Sequence, residues 1–344
     1  MVLSMQHNGY IHLAGSEVSR AAIAQRFGSP RAPLTMDDDI IASEWLIGVA
    51  EPGDNILLSK PGFPLYQTLC ESHQVECRFY NLMWETHLNQ MQSLVDDRTK
   101  GILINNPSNP CGSVYSKPHL ENILALAEQN KIPIIADEIH GDMVFGSNVF
   151  FPIATLTKTV PVVAVDGLAK QFLIRGWRSV IPDILTPGPG SAEELLLVDF
   201  KKRYYATLAE NAHLTIETIS KIPDLEVFVP QGAMYAMVKV QTDVLTSIND
   251  DFYFTQKLLE EESVFVLPGQ VNNYHVNRAI FVKRPDSGAL FCVQYSSVLA
   301  WPIISTLSSP HLMTFCATRT ITLPSFAVAA MSEWSVKYRR REPA

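Results

Sequence analysis

Three polar residues in the middle of the chain follow apolar segments, at positions that would bring their chemistry together. They are Asn109 after residues 101–106, Asp137 after residues 132–136 and Lys170 after residues 161–165. The carboxyl ends of parallel strands meet at one edge of a sheet, where open α/β sheets bind their ligands. We therefore expect an amide, a carboxylate and a primary amine to lie close together at such an edge.

This combination of groups suits pyridoxal phosphate. A lysine amine can form a Schiff base with the aldehyde of that cofactor, and a carboxylate can keep its pyridine nitrogen protonated, so that the ring acts as an electron sink. An amide can donate a hydrogen bond to the 3-oxygen of the ring. Each residue alone has a plainer interpretation: Asn109 suits a turn, Asp137 a loop cap or an ion pair, and Lys170 an ordinary surface lysine. Only the set as a whole predicts a cofactor site.

The segments around these residues alternate between apolar strands and amphipathic helices. This alternation predicts an α/β fold whose mostly parallel sheet is covered on both faces. Beyond about Ser191 the pattern changes to a long helix ending near Ser220, two strands and a further helix around 252–262, which predicts a smaller α+β unit. In the first unit we predict strands at 55–58, 75–81, 101–106, 132–136 and 161–165, and helices over 64–72 and from Ser116.

Length and composition limit the class of protein. The 344 residues suit one large domain or two ordinary ones, and the 47% hydrophobic and 18% charged shares exclude a disordered chain. A net charge of −8 argues against a nucleic-acid partner. The five cysteines form neither a disulfide framework nor a pair at metal-ligand spacing, so we expect a reducing, cytoplasmic location and no metal.

One stretch differs in composition from the rest of the chain. Residues 287–318 contain no Asp, Glu, Lys or Arg and are rich in Ser, Thr, Leu and aromatic residues. The length would admit a membrane span, but Pro302, Pro310 and many hydroxyl side chains interrupt it. We therefore expect no membrane helix there, and no ordered core segment.

Longer motifs around the three polar residues are similar to those of the fold-type I aminotransferases, and within that family to its tyrosine-using members. The similarity runs, with gaps, from about His7 to Gly269. The motifs that carry it are Asn8-Gly-Tyr10, Pro61-Gly-Phe-Pro-Leu-Tyr66, Asn106-Pro-Ser-Asn-Pro-Cys-Gly112, Ala136-Asp-Glu-Ile-His-Gly-Asp-Met-Val-Phe145, Gly167-Leu-Ala-Lys-Gln-Phe-Leu-Ile-Arg-Gly-Trp-Arg178 and Pro230-Gln-Gly-Ala-Met-Tyr235.

The resemblance implies a role for each of the three polar residues. Lys170 would bind the aldehyde of pyridoxal 5′-phosphate and carry the proton between the substrate Cα and the cofactor. Asp137 would pair with the pyridinium nitrogen. Asn109 would donate to the 3-oxygen and contact the substrate carboxylate.

Three further residues receive roles from the same resemblance. Phe63 would stack on the cofactor ring, although a core aromatic residue would look the same. Arg178 would hold the phosphate as a bidentate cation. Tyr10 would reach the phosphate in the partner subunit, which implies a homodimer with shared active sites, and is otherwise a surface tyrosine.

The sequence departs from the family at two site positions. His140 stands where the family usually has tyrosine as a second donor to the 3-oxygen, and a neutral imidazole can still donate one hydrogen bond. The same Asp-Glu-Ile-His pattern resembles related carbon–sulfur lyases, which keeps a lyase open. Arg278 lies near the expected distance of the arginine that binds the substrate carboxylate, but its surroundings do not match, Arg284 fits about as well, and a surface arginine explains either.

The similarity is also interrupted by abrupt joins. By comparison with the family, we expect a phosphate-binding loop at a helix N-terminus to be missing across 41–50, a helix-sized block to be missing after Arg178, and the family's earlier substrate-lining segment to be absent. We therefore expect an incomplete large cofactor-binding domain over 1–190, an incomplete small domain over 191–270, and a tail without family resemblance over 271–344.

The sequence thus predicts an enzyme of the pyridoxal phosphate-dependent transferase fold, type I. Its expected substrates are an amino acid and a 2-oxo acid, with L-tyrosine and 2-oxoglutarate giving 4-hydroxyphenylpyruvate and L-glutamate in tyrosine catabolism. The alternatives are a carbon–sulfur β-lyase and a catalytically impaired remnant that only binds or regulates. No nucleic acid or membrane is expected as a partner.

Overall fold

The computed structural model describes residues 17–39, 49–82, 87–173, 185–223, 225–240, 250–262, 266–269 and 289–294. The first unit contains a five-stranded sheet in the order β2-β1-β3-β4-β5. All four neighbouring pairs are parallel, which confirms the predicted sheet. The strands are β1 Asn55–Lys60, β2 Glu76–Asn81, β3 Thr99–Asn105, β4 Ile134–Asp137 and β5 Val162–Val165.

Helices connect these strands, and local sequence signals explain where two of them begin. The helices are α1 Glu17–Phe27, α2 Met36–Asp39, α3 Pro64–Ser72, α4 His87–Leu94, α5 Lys117–Asn130 and α6 Leu168–Gln171, with a short 3₁₀ helix at Ile153–Leu156. Helix α3 begins at Pro64, and Pro118 lies in the first turn of α5 behind the N-cap Ser116. The fixed φ of proline and its missing N–H suit this position, so both predicted starts are confirmed.

The sheet is buried on both faces. In β3 the side chains of Ile102 and Ile104 pack in one cluster with Leu120 and Ile123 of α5. Leu103, which points to the opposite face, packs in a second cluster with Tyr66 of α3. Since successive residues of a strand face opposite sides, burial of both faces explains why the strands are continuous apolar runs instead of alternating ones.

A polar network ties β1 to β3 inside the first unit. Asn55 is fully buried; its Nδ2 donates to Asp96 Oδ1 over 2.8 Å and its Oδ1 accepts from Thr99 Oγ1 over 2.8 Å. Replacing Asn55 with leucine removes both of these hydrogen bonds, so Thr99 Oγ1 loses its acceptor at 2.8 Å and keeps only its contacts with Asp96. We expect the free energy of unfolding to fall by about 2–3 kcal/mol, as measured by urea denaturation.

Gln256 provides the control for this prediction. Its Nε2 donates to Glu260 Oε1 over 2.8 Å on an exposed helix surface. The Gln256→Leu substitution should change the free energy of unfolding by less than about 0.5 kcal/mol. An equal loss of unfolding free energy in the two variants would contradict a specific contribution of the buried network to stability.

The second unit contains a four-stranded antiparallel sheet in the order β6-β7-β9-β8. Ser191 is the N-cap of its long first helix, and the Oγ of Ser191 accepts a hydrogen bond from Glu194 N over 3.1 Å. These elements confirm the predicted change to an α+β pattern beyond Ser191. They are α7 Ala192–Ile219, β6 Leu225–Val227, β7 Tyr235–Val240, α8 Asp251–Glu262, β8 Leu267–Pro268 and β9 Ala289–Gln294.

Strand β9 corrects one expectation from the sequence. It lies within the charge-free stretch 287–318, where we expected no ordered core segment, yet it pairs with β7 and with β8. The antiparallel partners on both sides satisfy its backbone groups, which a single-sequence pattern cannot reveal. Within the parts of the chain described above, no helix is long and apolar enough to cross a membrane, and no group of three His, Cys, Asp or Glu residues is placed to hold a metal ion.

The two units meet through the loop that follows β3. The backbone oxygen of Gly112 accepts from Gln231 N over 2.7 Å and from Gly232 N over 2.9 Å. Gly112 has a φ of +66°, and a Cβ there would lie 2.6 Å from Pro230 Cβ. Only glycine fits this left-handed, close approach, which places the start of β7 beside the carboxyl end of the large sheet.

Candidate active site

The carboxyl ends of β3, β4 and β5 lie side by side. Their last residues are in register, with Asn105 opposite Asp137 and Asp137 opposite Val165. The backbone oxygen of Asp137 accepts from Asn106 N over 3.0 Å and from Asn105 Nδ2 over 3.1 Å. Asn109 in the loop after β3, Asp137 at the end of β4 and Lys170 in α6 after β5 are thus carried by three adjacent strands.

The carboxylate of Asp137 is half-buried and receives a donor on each oxygen. Tyr66 donates its hydroxyl to Oδ2 over 2.6 Å, and the N–H of Ile139 donates to Oδ1 over 3.1 Å. Burial raises the pKa of Asp137 above its usual range; the two hydrogen bonds and the charge of Lys170 act in the opposite direction. A cation placed against this carboxylate would stabilise its ionised form, which is the environment that a protonated pyridine nitrogen needs.

Lys170 lies in α6, and two residues of the second unit form hydrogen bonds with it. Its Nζ donates to Tyr235 OH over 3.1 Å, and its backbone oxygen accepts from Tyr204 OH over 3.0 Å. Tyr204 belongs to α7 and Tyr235 to β7, so both anchors come from the second unit. Because its charge acts on Asp137, the structure brings the amine and the carboxylate into electrostatic reach of each other.

Asn109 lies in the loop after β3, and its position is fixed through the main chain. Its backbone N–H donates to Asn105 Oδ1 over 2.6 Å. The docking of Gly112 on the second unit fixes the other end of the same loop. A donor to a cofactor oxygen and a substrate carboxylate remains the predicted role of this amide.

Phe63 and His140 each pack against a tyrosine of the site. The half-buried ring of Phe63 meets Tyr66 edge to face, with centroids 5.5 Å apart and an angle of 81° between the ring planes. The buried ring of His140 meets Tyr235 in the same way, at 5.8 Å and 89°. Stacking on the cofactor for Phe63 and donation to its 3-oxygen for His140 remain predictions.

Three tyrosines of the site were not assigned a role from the sequence. Tyr66 and Tyr235 lie in motifs that resemble the family, and Tyr204 lies in none of these motifs. Burial, followed by the charge of Asp137, raises the pKa of Tyr66, so its hydroxyl stays protonated as a donor. The spacing Phe63 to Tyr66, three residues apart at the start of α3, would have indicated that both rings lie on one side of the helix.

Three predicted site residues cannot be placed. Tyr10, Arg178 and Arg278 lie outside the described residues. The same holds for residues 41–48, across which the phosphate-binding loop was expected to be missing.

The neighbouring carboxyl of Glu138 predicts a dependence of stability on pH. Burial raises its pKa to about 7; the hydrogen bond from Ile153 N lowers the pKa, and the charge of Asp137 raises it. The folded state therefore binds this proton more tightly than the unfolded state, and stability is lost as the pH rises from about 5 to about 8. Glu138→Gln keeps an acceptor for Ile153 and cannot ionise, so it should be more stable than the wild type at about pH 8 by roughly 1–2 kcal/mol.

Urea denaturation at both pH values tests this prediction, and Glu217→Gln is the control. Glu217 is exposed on α7 and paired with Lys221, which lowers its pKa. Its substitution should not raise stability at the higher pH. An unchanged pH dependence in Glu138→Gln would show that burial of this carboxyl does not affect folding.

The chain is similar in sequence to known aminotransferases. The family model described as aminotransferase class I and II matches residues 3–179. Its match ends one residue after Arg178, where the sequence predicted that the local similarity breaks. The tyrosine aminotransferase of Bos taurus is 39% identical over 310 residues, spanning 79% of this chain and 69% of the relative. That of Dictyostelium discoideum is 37% identical over 318 residues, spanning 78% and 75%.

Solved structures show the same fold. The tyrosine aminotransferase of Leishmania infantum has a TM-score of 0.75 and 24% identity, and the match covers 98% of this chain and 85% of that chain. Together with an aspartate aminotransferase of Rhizobium meliloti at a TM-score of 0.70, it confirms the predicted fold type I architecture. These findings favour the aminotransferase over the carbon–sulfur lyase and over a remnant that only binds or regulates.

Proposed function

Because this chain belongs to the family of class I and II aminotransferases, we propose that it transfers the amino group of L-tyrosine to 2-oxoglutarate. The products are 4-hydroxyphenylpyruvate and L-glutamate, which places the reaction in tyrosine catabolism. The observation that carries the proposal is that Asp137 at the end of β4 and Lys170 after β5 lie at the same sheet edge, in a chain 36–39% identical to five tyrosine aminotransferases.

The cofactor of this family is pyridoxal 5′-phosphate, which supplies an electron-withdrawing ring that makes the Cα proton of a bound amino acid acidic. The donor set of the site fits it, since a desolvated carboxylate and an amine lie within electrostatic reach. Lys170 would hold its aldehyde carbon covalently and Asp137 its ring nitrogen. The other proposed contacts are Asn109 and His140 to the 3-oxygen, Phe63 to the ring face, and Arg178 and Tyr10 to the phosphate.

The residues of the chain divide the work of proton transfer. Lys170 would take the proton from the substrate Cα at Nζ, which requires the neutral amine, and would return it to the cofactor. Asp137 would hold the ring nitrogen of the cofactor with its negative charge, since Tyr66 and Ile139 fix the position of both of its oxygens. The carboxylate is already desolvated and oriented, so no reorganisation is needed when charge develops.

The substrate carboxylate, the partner subunit and the compartment complete the proposal. We assign the α-carboxylate to Asn109 and Arg278, and the assembly to a homodimer in which Tyr10 serves the neighbouring site. The three cysteines described by the structure, Cys70, Cys77 and Cys111, are free thiols, which supports a reducing cytoplasm. The division into a large domain over 1–190, a small domain over 191–270 and a tail from 271 remains a proposal, with β9 of the tail added to the sheet of the small domain.

Product analysis tests the proposed reaction. The purified full chain is incubated with pyridoxal phosphate, tyrosine and 2-oxoglutarate, and 4-hydroxyphenylpyruvate and glutamate are quantified by chromatography. We expect equal amounts of both products, and formation of both lowered about 10⁴-fold with Lys170→Ala. Release of free thiol from cystathionine without any keto acid from tyrosine would contradict transamination and favour the lyase.

A further inference from the structure

The amine of Lys170 is fixed by a hydroxyl that comes from the second sheet. Tyr235 is the first residue of β7, and its OH lies 3.1 Å from Lys170 Nζ. The Tyr235 side chain is only 8% exposed, and the two residues that flank it, Met234 and Ala236, are fully buried. The phenol therefore has little freedom to move away from the amine, because its strand is anchored on both sides.

The contact between Lys170 Nζ and Tyr235 is a hydrogen bond to the hydroxyl and not a cation–π contact with the ring face. Lys170 Nζ lies 5.7 Å from the centroid of the Tyr235 ring. This value is close to the hydrogen-bond length added to the distance from ring centre to phenol oxygen. The amine thus lies beyond the hydroxyl, almost in the ring plane, whereas a cation–π contact requires a position over the face.

Three other ionisable groups lie near this contact. Asp137 of β4 acts on it electrostatically, and Tyr204 of α7 binds its backbone oxygen. The ring of His140 meets Tyr235 edge to face. Tyr235 contacts the amine itself, with its OH 3.1 Å from Nζ.

We propose that Tyr235 is a positioning residue that holds the Nζ of Lys170 beside the reacting centre whenever that amine is not bound covalently. This inference rests on the proposed function, in which Lys170 must be both a covalent anchor and a proton carrier. A long lysine side chain samples many rotamers, and ordering it costs free energy at each turnover. A fixed phenol lowers that cost, because it can donate to the neutral amine and accept from the ammonium form.

The proposal also explains why the two sheets must be docked for the site to work. Tyr235 reaches Lys170 because the loop after β3 binds the backbone at Gln231 and Gly232. The backbone of Ala233 is fixed as well, because its N–H donates a hydrogen bond to Met143 O over 2.8 Å. The second unit therefore contributes a side chain that contacts the amine of this lysine.

Tyr235→Phe tests the proposal, with Tyr205→Phe as the matched control. Phenylalanine keeps the buried ring and removes only the hydroxyl. Tyr205 lies on α7, and its buried hydroxyl has no hydrogen-bond partner within the described part of the chain. Circular dichroism and thermal unfolding establish that both variants are folded.

The first measurement uses the full chain without cofactor. Trace acetylation with acetic anhydride at fixed pH, followed by peptide mass spectrometry, gives the reactivity of Lys170 relative to all other lysines. We expect Tyr235→Phe to raise it about fivefold, the factor that corresponds to one net hydrogen bond, and Tyr205→Phe to leave it unchanged. Equal reactivity in Tyr235→Phe and wild type would overturn the proposal.

The second measurement separates positioning from a structural role. In the enzyme with cofactor we expect Tyr235→Phe to lower kcat for tyrosine about tenfold with less than about a twofold change in KM. A rise in KM with kcat unchanged would overturn the proposal. If wild-type protein shows no transamination while the acetylation result holds, the contact is real and the proposed function is the part that fails.

Discussion

Replacing Lys170 with alanine should lower kcat for tyrosine transamination by about 10⁴-fold, the upper range for loss of a general base. Lys170 is the amine that the fold delivers to the sheet edge: its backbone is fixed by Tyr204 and its Nζ by Tyr235. Alanine removes the covalent anchor and the proton carrier together, while the backbone bond to Tyr204 remains available. The initial rate of 4-hydroxyphenylpyruvate formation at saturating cofactor measures the loss.

Lys60 provides the control for this variant. It ends β1 at the same edge of the sheet, and burial lowers its pKa. An amine with a lowered pKa is the kind that reacts with aldehydes, so Lys60 is the alternative nucleophile that chemistry alone would suggest. Lys60→Ala should retain most of the activity. A large loss in Lys60→Ala together with a small one in Lys170→Ala would contradict the assignment.

Replacing Asp137 with asparagine should lower kcat by about 10³-fold, a loss typical of removing one preorganised electrostatic group. Asparagine has nearly the same shape and can still accept from Tyr66 OH, but it is neutral and cannot keep a ring nitrogen protonated. The side chain already lacks full solvation, since burial raises its pKa. The variant should also bind pyridoxal phosphate more weakly, which the quenching of protein fluorescence measures.

Tyr66→Phe separates the charge of Asp137 from its orientation. This variant removes the 2.6 Å donor to Oδ2 and leaves the carboxylate and the Ile139 bond in place. We expect kcat to fall only about tenfold, as for loss of one hydrogen bond to a charged group. If Tyr66→Phe were as damaging as Asp137→Asn, orientation rather than charge would be the main contribution of this carboxylate.

Local signals made the first unit predictable. Pro64 and the pair Ser116 and Pro118 mark helix starts, and the continuous apolar runs mark strands buried on both faces. The order of strands along the chain then places Asn109, Asp137 and Lys170 behind adjacent strands. These features depend on residues that are close together in sequence, so they can be predicted from one sequence alone.

The side-chain bonds of the site could not be predicted in the same way. The Tyr66–Asp137 and Lys170–Tyr235 bonds join residues separated by 71 and 65 positions. Strand β9 likewise depends on pairing with β7, far away in sequence. No periodicity or spacing encodes such contacts, since they follow from how the finished elements pack.

The covalent attachment of the cofactor gives the most direct test of the site. The full chain is incubated with pyridoxal phosphate and reduced with borohydride, and the lysine that carries the added mass is identified by peptide mass spectrometry. We expect the label on Lys170, and its disappearance in Lys170→Ala while Lys60→Ala keeps it. Label on Lys60 or another lysine, with Lys170 unmodified in the folded wild-type protein, would contradict the assignment of this sheet edge as the active site.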